Sequence, residues 1–182
     1  MAKSFFTLTK PSNNTLHLDV PADLSSQRIF TYIEATNDNA GQILEYFPSV
    51  LKRISTGAAA SGQKVIPCTA TAGIAATDIV IIQDAVDSTL YESDLVAAVA
   101  ANVSYTITNN LVNSYSAGAF IYLVDAGAAT VPAWSYVIGA ATVTKSNGTA
   151  VFVVEKNQAL YLVFDACTAI CDIHSAGFLR TP

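Results

Sequence analysis

Four stretches of the chain share one pattern of apolar and polar positions. IFTYIEA (29–35), IVIIQDA (79–85), FIYLVDAGA (120–128) and LYLVFDA (160–166) each run as a largely apolar stretch, one acid and an alanine. The acids are Glu34, Asp84, Asp125 and Asp165. In FIYLV and LYLVF the apolar residues are consecutive rather than alternate, so a strand built from them offers apolar side chains to both faces of its sheet. In an antiparallel protein one face normally meets water. The second face here therefore needs cover from a loop, another sheet or a neighbouring chain. The acid is expected to end each strand, because an Asp side chain accepts hydrogen bonds from nearby backbone N–H groups and favours a turn.

Strand-like segments continue through the chain: RIFTYIEA, QILEYF, QKVIPC, DIVIIQDA, VSYTITN, AFIYLVDAG, WSYVIGAATVTK, TAVFVVEK and ALYLVFDA. They are rich in Val, Ile, Tyr, Phe and Thr, which suit a pleated surface. Turn signals separate them: NDNAG (37–41), ASG (60–62), SNG (146–148) and KNQ (156–158). Asn147-Gly148 is a strong hairpin signal. SDLVAAVAA (93–101) is the best helix candidate, with Ser93 or Asp94 as its cap. Residues 1–28 are polar and broken by Pro11 and Pro21, and only LHLDV (16–20) alternates like a strand. The predicted fold is all-β: an antiparallel β-sandwich or barrel-like module over residues 26–182, preceded by an extended N-terminal arm or edge strand over residues 1–25. The acids recur at intervals of 50, 41 and 40 residues, but the intervening segments share nothing else, which argues against a propeller repeat.

Composition adds a surplus of apolar residues. Of 182 residues 52% are hydrophobic and 13% charged, about half the usual charged share. The longest apolar runs, such as LVAAVAA (95–101), fall far short of the roughly 18 residues that a membrane helix needs, so no membrane is expected. The surplus then predicts burial against other subunits. Net charge is −5, and the nine Lys and Arg residues are scattered along the chain. Nothing resembles the basic stripe that nucleic acid requires. The apolar stretch in MAKSFFTLTK is too short for a signal peptide, which predicts synthesis in the cytosol. Asn13, Asn102 and Asn147 then begin sequons only by coincidence. Three cysteines fit reduced thiols better than a disulfide framework.

Candidate chemistry is thin. Four aligned carboxylates would serve a metal or acid/base catalysis only if they met at one rim with further ligands, and calcium-loop Asp/Asn triplets are absent. Cys167, Cys171 and His174 form C-x3-C-x2-H, but zinc wants a fourth ligand. His17 is the one other histidine and Cys68 the remaining thiol; small buried thiols are the simpler reading. There is no G-x-S-x-G elbow, P-loop or G-x-G-x-x-G. Trp134, Tyr136 and Tyr115 could stack on a sugar, although aromatics among β-branched neighbours more often fill a core. No catalytic, cofactor or metal residue is assigned, and no enzyme activity or cofactor is expected.

The stretches RIFTYIEATNDNAGQILEYF, KVIPCTATAGIAATDIVIIQDA and SYSAGAFIYLVDAGA, with their Ala/Thr/Gly-rich connections and polar N-terminus, resemble the decoration (cement) proteins of tailed-bacteriophage capsids. The likeness is one of style across residues 28–127. It implies a homotrimer that sits on the capsid surface of the virion and stabilises the shell by contacts with the major capsid protein. A carbohydrate- or host-surface-binding β-sandwich, such as a head fibre or adhesin module, is the alternative. It predicts Trp134, Tyr136 or Tyr115 in an open groove.

Overall fold

The computed structural model describes residues 3–11, 16–20, 22–37, 42–124, 134–138, 142–146, 152–164 and 170–181. They contain strands and turns and no helix. In chain order the strands are β1 (Lys3–Pro11), β2 (Leu16–Val20), β3 (Gln27–Asn37), β4 (Gln42–Pro48), β5 (Leu51–Ile54), β6 (Val65–Pro67), β7 (Ile79–Gln83) and β8 (Tyr91–Ala100). They continue as β9 (Ser104–Ile107), β10 (Phe120–Val124), β11 (Trp134–Ile138), β12 (Thr142–Ser146), β13 (Phe152–Val154), β14 (Leu160–Phe164) and β15 (Ile170–Arg180). The expected all-β class is what the chain adopts, and every strand pairing is antiparallel. Two compact units result. One combines the chain up to Pro48 with the chain from Pro132 onward, and the other is Ser49–Val131.

The first unit holds two sheets, in the orders β1-β15-β3-β12 and β11-β4-β14-β2. LHLDV is the strand its alternation predicts. β1 and β2 are both terminal strands, paired with β15 and β14, so residues 1–25 supply two sheet edges. Leu160, Tyr161 and Leu162 are all buried, the two-faced burial that consecutive apolar residues call for. Two expectations fail here. The Asn147-Gly148 signal predicts a reversal, yet β12 and β13 both run antiparallel to β3: Ser146 stands opposite Tyr32 and Phe152 opposite Phe30. They therefore run in the same direction, because the 11-residue β3 accepts both along one edge while β15 takes the other. Glu34 is no strand end either. It lies inside β3, opposite Thr144 and His174, because pairing on both edges carries the strand on to Asn37.

The Ser49–Val131 unit is one six-stranded sheet in the order β5-β10-β7-β8-β9-β6. It curls until its ends meet: Thr56, just beyond β5, donates its N–H to Pro67 O of β6 at 2.9 Å. The curl encloses a core of Ile66, Cys68, Val80, Ile82, Val96, Tyr105, Ile107, Ile121 and Leu123 with Leu111 and Tyr115 from a loop. The alternate residues Ile81, Tyr122 and Val124 are equally buried, so both faces of β7 and β10 are covered within a single chain. The two-faced strand FIYLV therefore does not by itself demand a neighbouring subunit.

The segment read as a helix, 93–101, is strand β8. Its backbone bonds on both sides, with Ile79 opposite Leu95 on β7 and Ala100 opposite Ser104 on β9. A lone nine-residue helix is below the length that nucleation tolerates, and two flanking ladders outweigh the alanine propensity. The ASG turn forms as expected, with Gly62 at φ 82°, where a side chain would be strained.

Candidate functional site

The best-defined polar cluster stands at the end of the curled sheet where β7 turns into β8. Asp84 follows β7 directly, and its N–H donates to Leu90 O across the turn. Its Oδ1 accepts the N–H groups of Val86 at 2.7 Å and Asp87 at 2.9 Å. That is the turn-capping role its place after an apolar run predicts. Oδ2 reaches further and accepts Ser116 N–H at 2.6 Å. Burial pushes the Asp84 carboxyl up, but the N–H groups of Asp87, Ser116 and Val86 outweigh it and hold the group below the ordinary carboxylate value. Asp87 is also held low, by the Thr89 hydroxyl and N–H.

Two further acids extend the cluster. Glu92 and Asp94 are two apart on β8, hence on one face. Glu92 Oε2 accepts Val112 N–H at 3.0 Å, and Oε1 accepts Asn113 N–H at 3.1 Å and the Tyr115 hydroxyl at 2.9 Å. Asp94 Oδ2 accepts Asn109 N–H at 2.6 Å, and Oδ1 accepts the Asn109 amide at 3.0 Å and Leu95 N–H at 2.7 Å. Three carboxylates thus grip one segment at 109, 112, 113, 115 and 116. The chain at 59–63 grips its other side: Ala59 and Tyr115 exchange backbone bonds, Gly62 N–H meets Leu111 O and Leu111 N–H meets Gln63 O. Leu111 and Tyr115 anchor the segment in the core. Burial, with Glu92 and Asp84 adding to it, pushes the Tyr115 phenol up, so it stays a donor.

The three carboxylates accept from neutral N–H and O–H groups of the loop they fix. Held in place beside them, Val86 is 85% exposed and Val112 76%. Among the described residues no group of three or more His, Cys, Asp and Glu could hold a metal ion.

Of the four aligned acids the structure describes two. Asp84 joins the cluster, Glu34 lies mid-strand, and Asp125 and Asp165 fall outside the described residues. Cys167 also lies outside them. Cys171 and His174 are placed in β15 by backbone register, and Cys68 is buried with Sγ 3.6 Å from Ile54 O and Ala70 O. Tyr115, expected in an open groove by a sugar-binding reading, is 3% exposed. Trp134 and Tyr136 are placed only by their register opposite Tyr46 and Leu44. Asn102 is exposed at φ 59°, and Asn13 and Asn147 lie outside the described residues. Sequence reasoning misses Glu92 and takes Asp94 for a helix cap rather than an anchor of the 109–116 segment. Reading 91–100 as a strand would have put both on one face, directly after a turn.

No family model and no curated protein matches the chain. Among solved structures, the complex of the two major capsid proteins VP16 and VP17 of bacteriophage P23-77 aligns over 99% of this chain and 100% of its own, at 9% identity and a TM-score of 0.24. The unassembled KI polyomavirus VP1 pentamer aligns over 94% of this chain and 74% of its own, at 10% identity and a TM-score of 0.24. The infectious bursal disease virus VP2 subviral particle aligns over 100% of this chain and 41% of its own, at 6% identity and a TM-score of 0.16. Scores this low do not establish a common fold.

Proposed function

We propose that the chain is a structural virion protein that decorates and stabilises a tailed-phage capsid through subunit contacts, without catalysis. It is made in the host cytoplasm and carried on the capsid surface as a homotrimer docked on the major capsid protein. Residues 1–25, which bring the edge strands β1 and β2, lie over a neighbour or the shell. The observation that carries this reading is the apolar tip: Val86 and Val112 stand 85% and 76% exposed on loops that Asp84 and Glu92 hold in one shape. Preordered apolar side chains suit a protein contact, since little conformational freedom is lost on docking. The low charged fraction, 13%, supports it. The sugar-binding alternative is disfavoured by Tyr115, whose ring is buried and whose hydroxyl is committed to Glu92.

Electrophoresis and mass spectrometry of purified virions provide the test. The chain should be a stoichiometric shell component, and its absence from virions would refute the proposal. Light scattering on the isolated protein should give a mass near three chains; a monomer at micromolar concentration would remove the oligomer from the proposal.

A further inference from the structure

Two hydroxyls inside the Ser49–Val131 unit are buried without a hydrogen-bond partner. Tyr105 is 0% exposed and Ser55 4%, and neither Tyr105 Oη nor Ser55 Oγ meets a donor or acceptor. Bare buried hydroxyls are costly, and folded proteins commonly satisfy them with an ordered water that has two to four polar neighbours. Cys68 lies close to the backbone beside one and shares a core with the other. The thiol sulfur lies 3.6 Å from the carbonyl oxygen of Ile54, the residue before Ser55. Tyr105 shares the enclosed core with Cys68, which, after burial, is what acts on the ionisation of the phenol. Ser55 belongs to the same side. Leu51 packs against that core, and the two-residue strand period puts Arg53 and Ser55 on the face of Leu51. Ser55 keeps that register just past β5, because its N–H donates to Ala119 O at 2.8 Å and Gly118 N–H returns to its carbonyl. Arg53 also has a buried Nε without a partner, but its other nitrogens already reach Lys52 O and Ala72 O.

We propose that Tyr105 Oη, Ser55 Oγ and Cys68 Sγ line an internal site that holds one ordered water. A water suits the site, because hydroxyls and a thiol are the groups that line it and Ile66, Val80, Ile107 and Ile121 make up the surrounding core. Burial keeps the phenol protonated and donating. The serine hydroxyl turns to give or accept, and the thiol adds a weak contact. The water joins β9 to the end of β5 past β6, beside the seam where the sheet curls to meet itself.

The test is a double-mutant cycle on the whole chain with Tyr105→Phe, Ser55→Ala and the pair, read by thermal unfolding, beside a high-resolution crystal structure of the unaltered protein. Each single change should lower Tm by about 2–4 °C. The pair should lower it by clearly less than the sum, since either change alone already strips the water of a partner. Density for a water about 3 Å from both hydroxyl oxygens should be present. A Tyr105→Phe variant that melts at or above the parent temperature would overturn the proposal. So would additive losses, or density in which the two hydroxyls share no water.

Discussion

Asp84 shows how one carboxylate does several jobs at once: it closes the turn after β7 through Val86 and Asp87 and reaches across to Ser116. Its pKa is lowered on folding, so the stabilisation it gives is complete above the unfolded value of about 4 and is lost as pH falls through the lower folded value. Replacement by Asn should cost about 1 kcal/mol at pH 7, because the amide keeps one acceptor oxygen but loses the charge that strengthens the N–H contacts. The gap to the parent should close below about pH 4. Urea unfolding across pH 2.5–7 would check it, and a gap that persists at the acid end would contradict the assignment. Glu92 makes three bonds to Val112, Asn113 and Tyr115. Glu92→Ala should therefore cost on the order of 2–3 kcal/mol by chemical denaturation. Thr77 sits at φ 76°, a region that costs a β-branched residue about 1–2 kcal/mol. Thr77→Gly should raise stability by up to about 1 kcal/mol once the added freedom of the unfolded chain is subtracted. The capping role of Asp84 could be read from an apolar run closed by Asp. The partners of Glu92 and Asp94 could not, because the segment they hold lies about 20 residues further along, at 109–116.

At the scale of the element, the clearest lesson is β8. Alanine content and a serine or aspartate cap favour a helix locally, but the segment follows a tight turn that returns it alongside β7, where its N–H and C=O groups find partners. The bulge between Val96 and Ala98 breaks the strict alternation that would have betrayed a strand. By contrast the apolar runs of β7, β10 and β14 are strands within a residue or two of where the sequence put them, because consecutive β-branched and aromatic residues suit burial on two faces. A substitution separates the two readings of β8. Ala98, exposed and opposite Thr106, would cost about 0.5 kcal/mol as Thr in a helix, whereas a strand accepts Thr with a gain of a few tenths. Ala98→Thr should therefore leave thermal stability unchanged or raised, and the far-UV circular dichroism spectrum of the parent should show no helical minima.

For the whole molecule the notable feature is that one unit is inserted into the other. The chain of the first unit stops at Pro48 and resumes at Pro132, and the first strand of the excursion, β5, lies beside β10, its last described strand. Val50 N–H donates to Leu123 O at 2.9 Å, and Leu51 stands opposite Leu123 in the ladder. The second junction is rich in small residues and holds a proline, DAGAATVPA (125–133), but similar Ala/Thr/Gly-rich connections such as TATAGIAAT (69–77) lie inside the unit, so composition alone does not single it out. Inserted modules with adjacent ends impose little loop-closure cost on their host and keep their contacts local. The Ser49–Val131 unit encloses its own core from Ile66 to Leu123 and seams its sheet through Thr56 and Pro67. A fragment of residues 49–131 should therefore fold without the rest of the chain. It should give a single cooperative urea transition and dispersed amide resonances. Glu92→Ala within the fragment should shift its midpoint downward as it does in the full chain, since every partner of Glu92 is inside it. A fragment that shows collapsed amide resonances and a broad, non-cooperative transition would mean that the unit depends on chain outside its own boundaries.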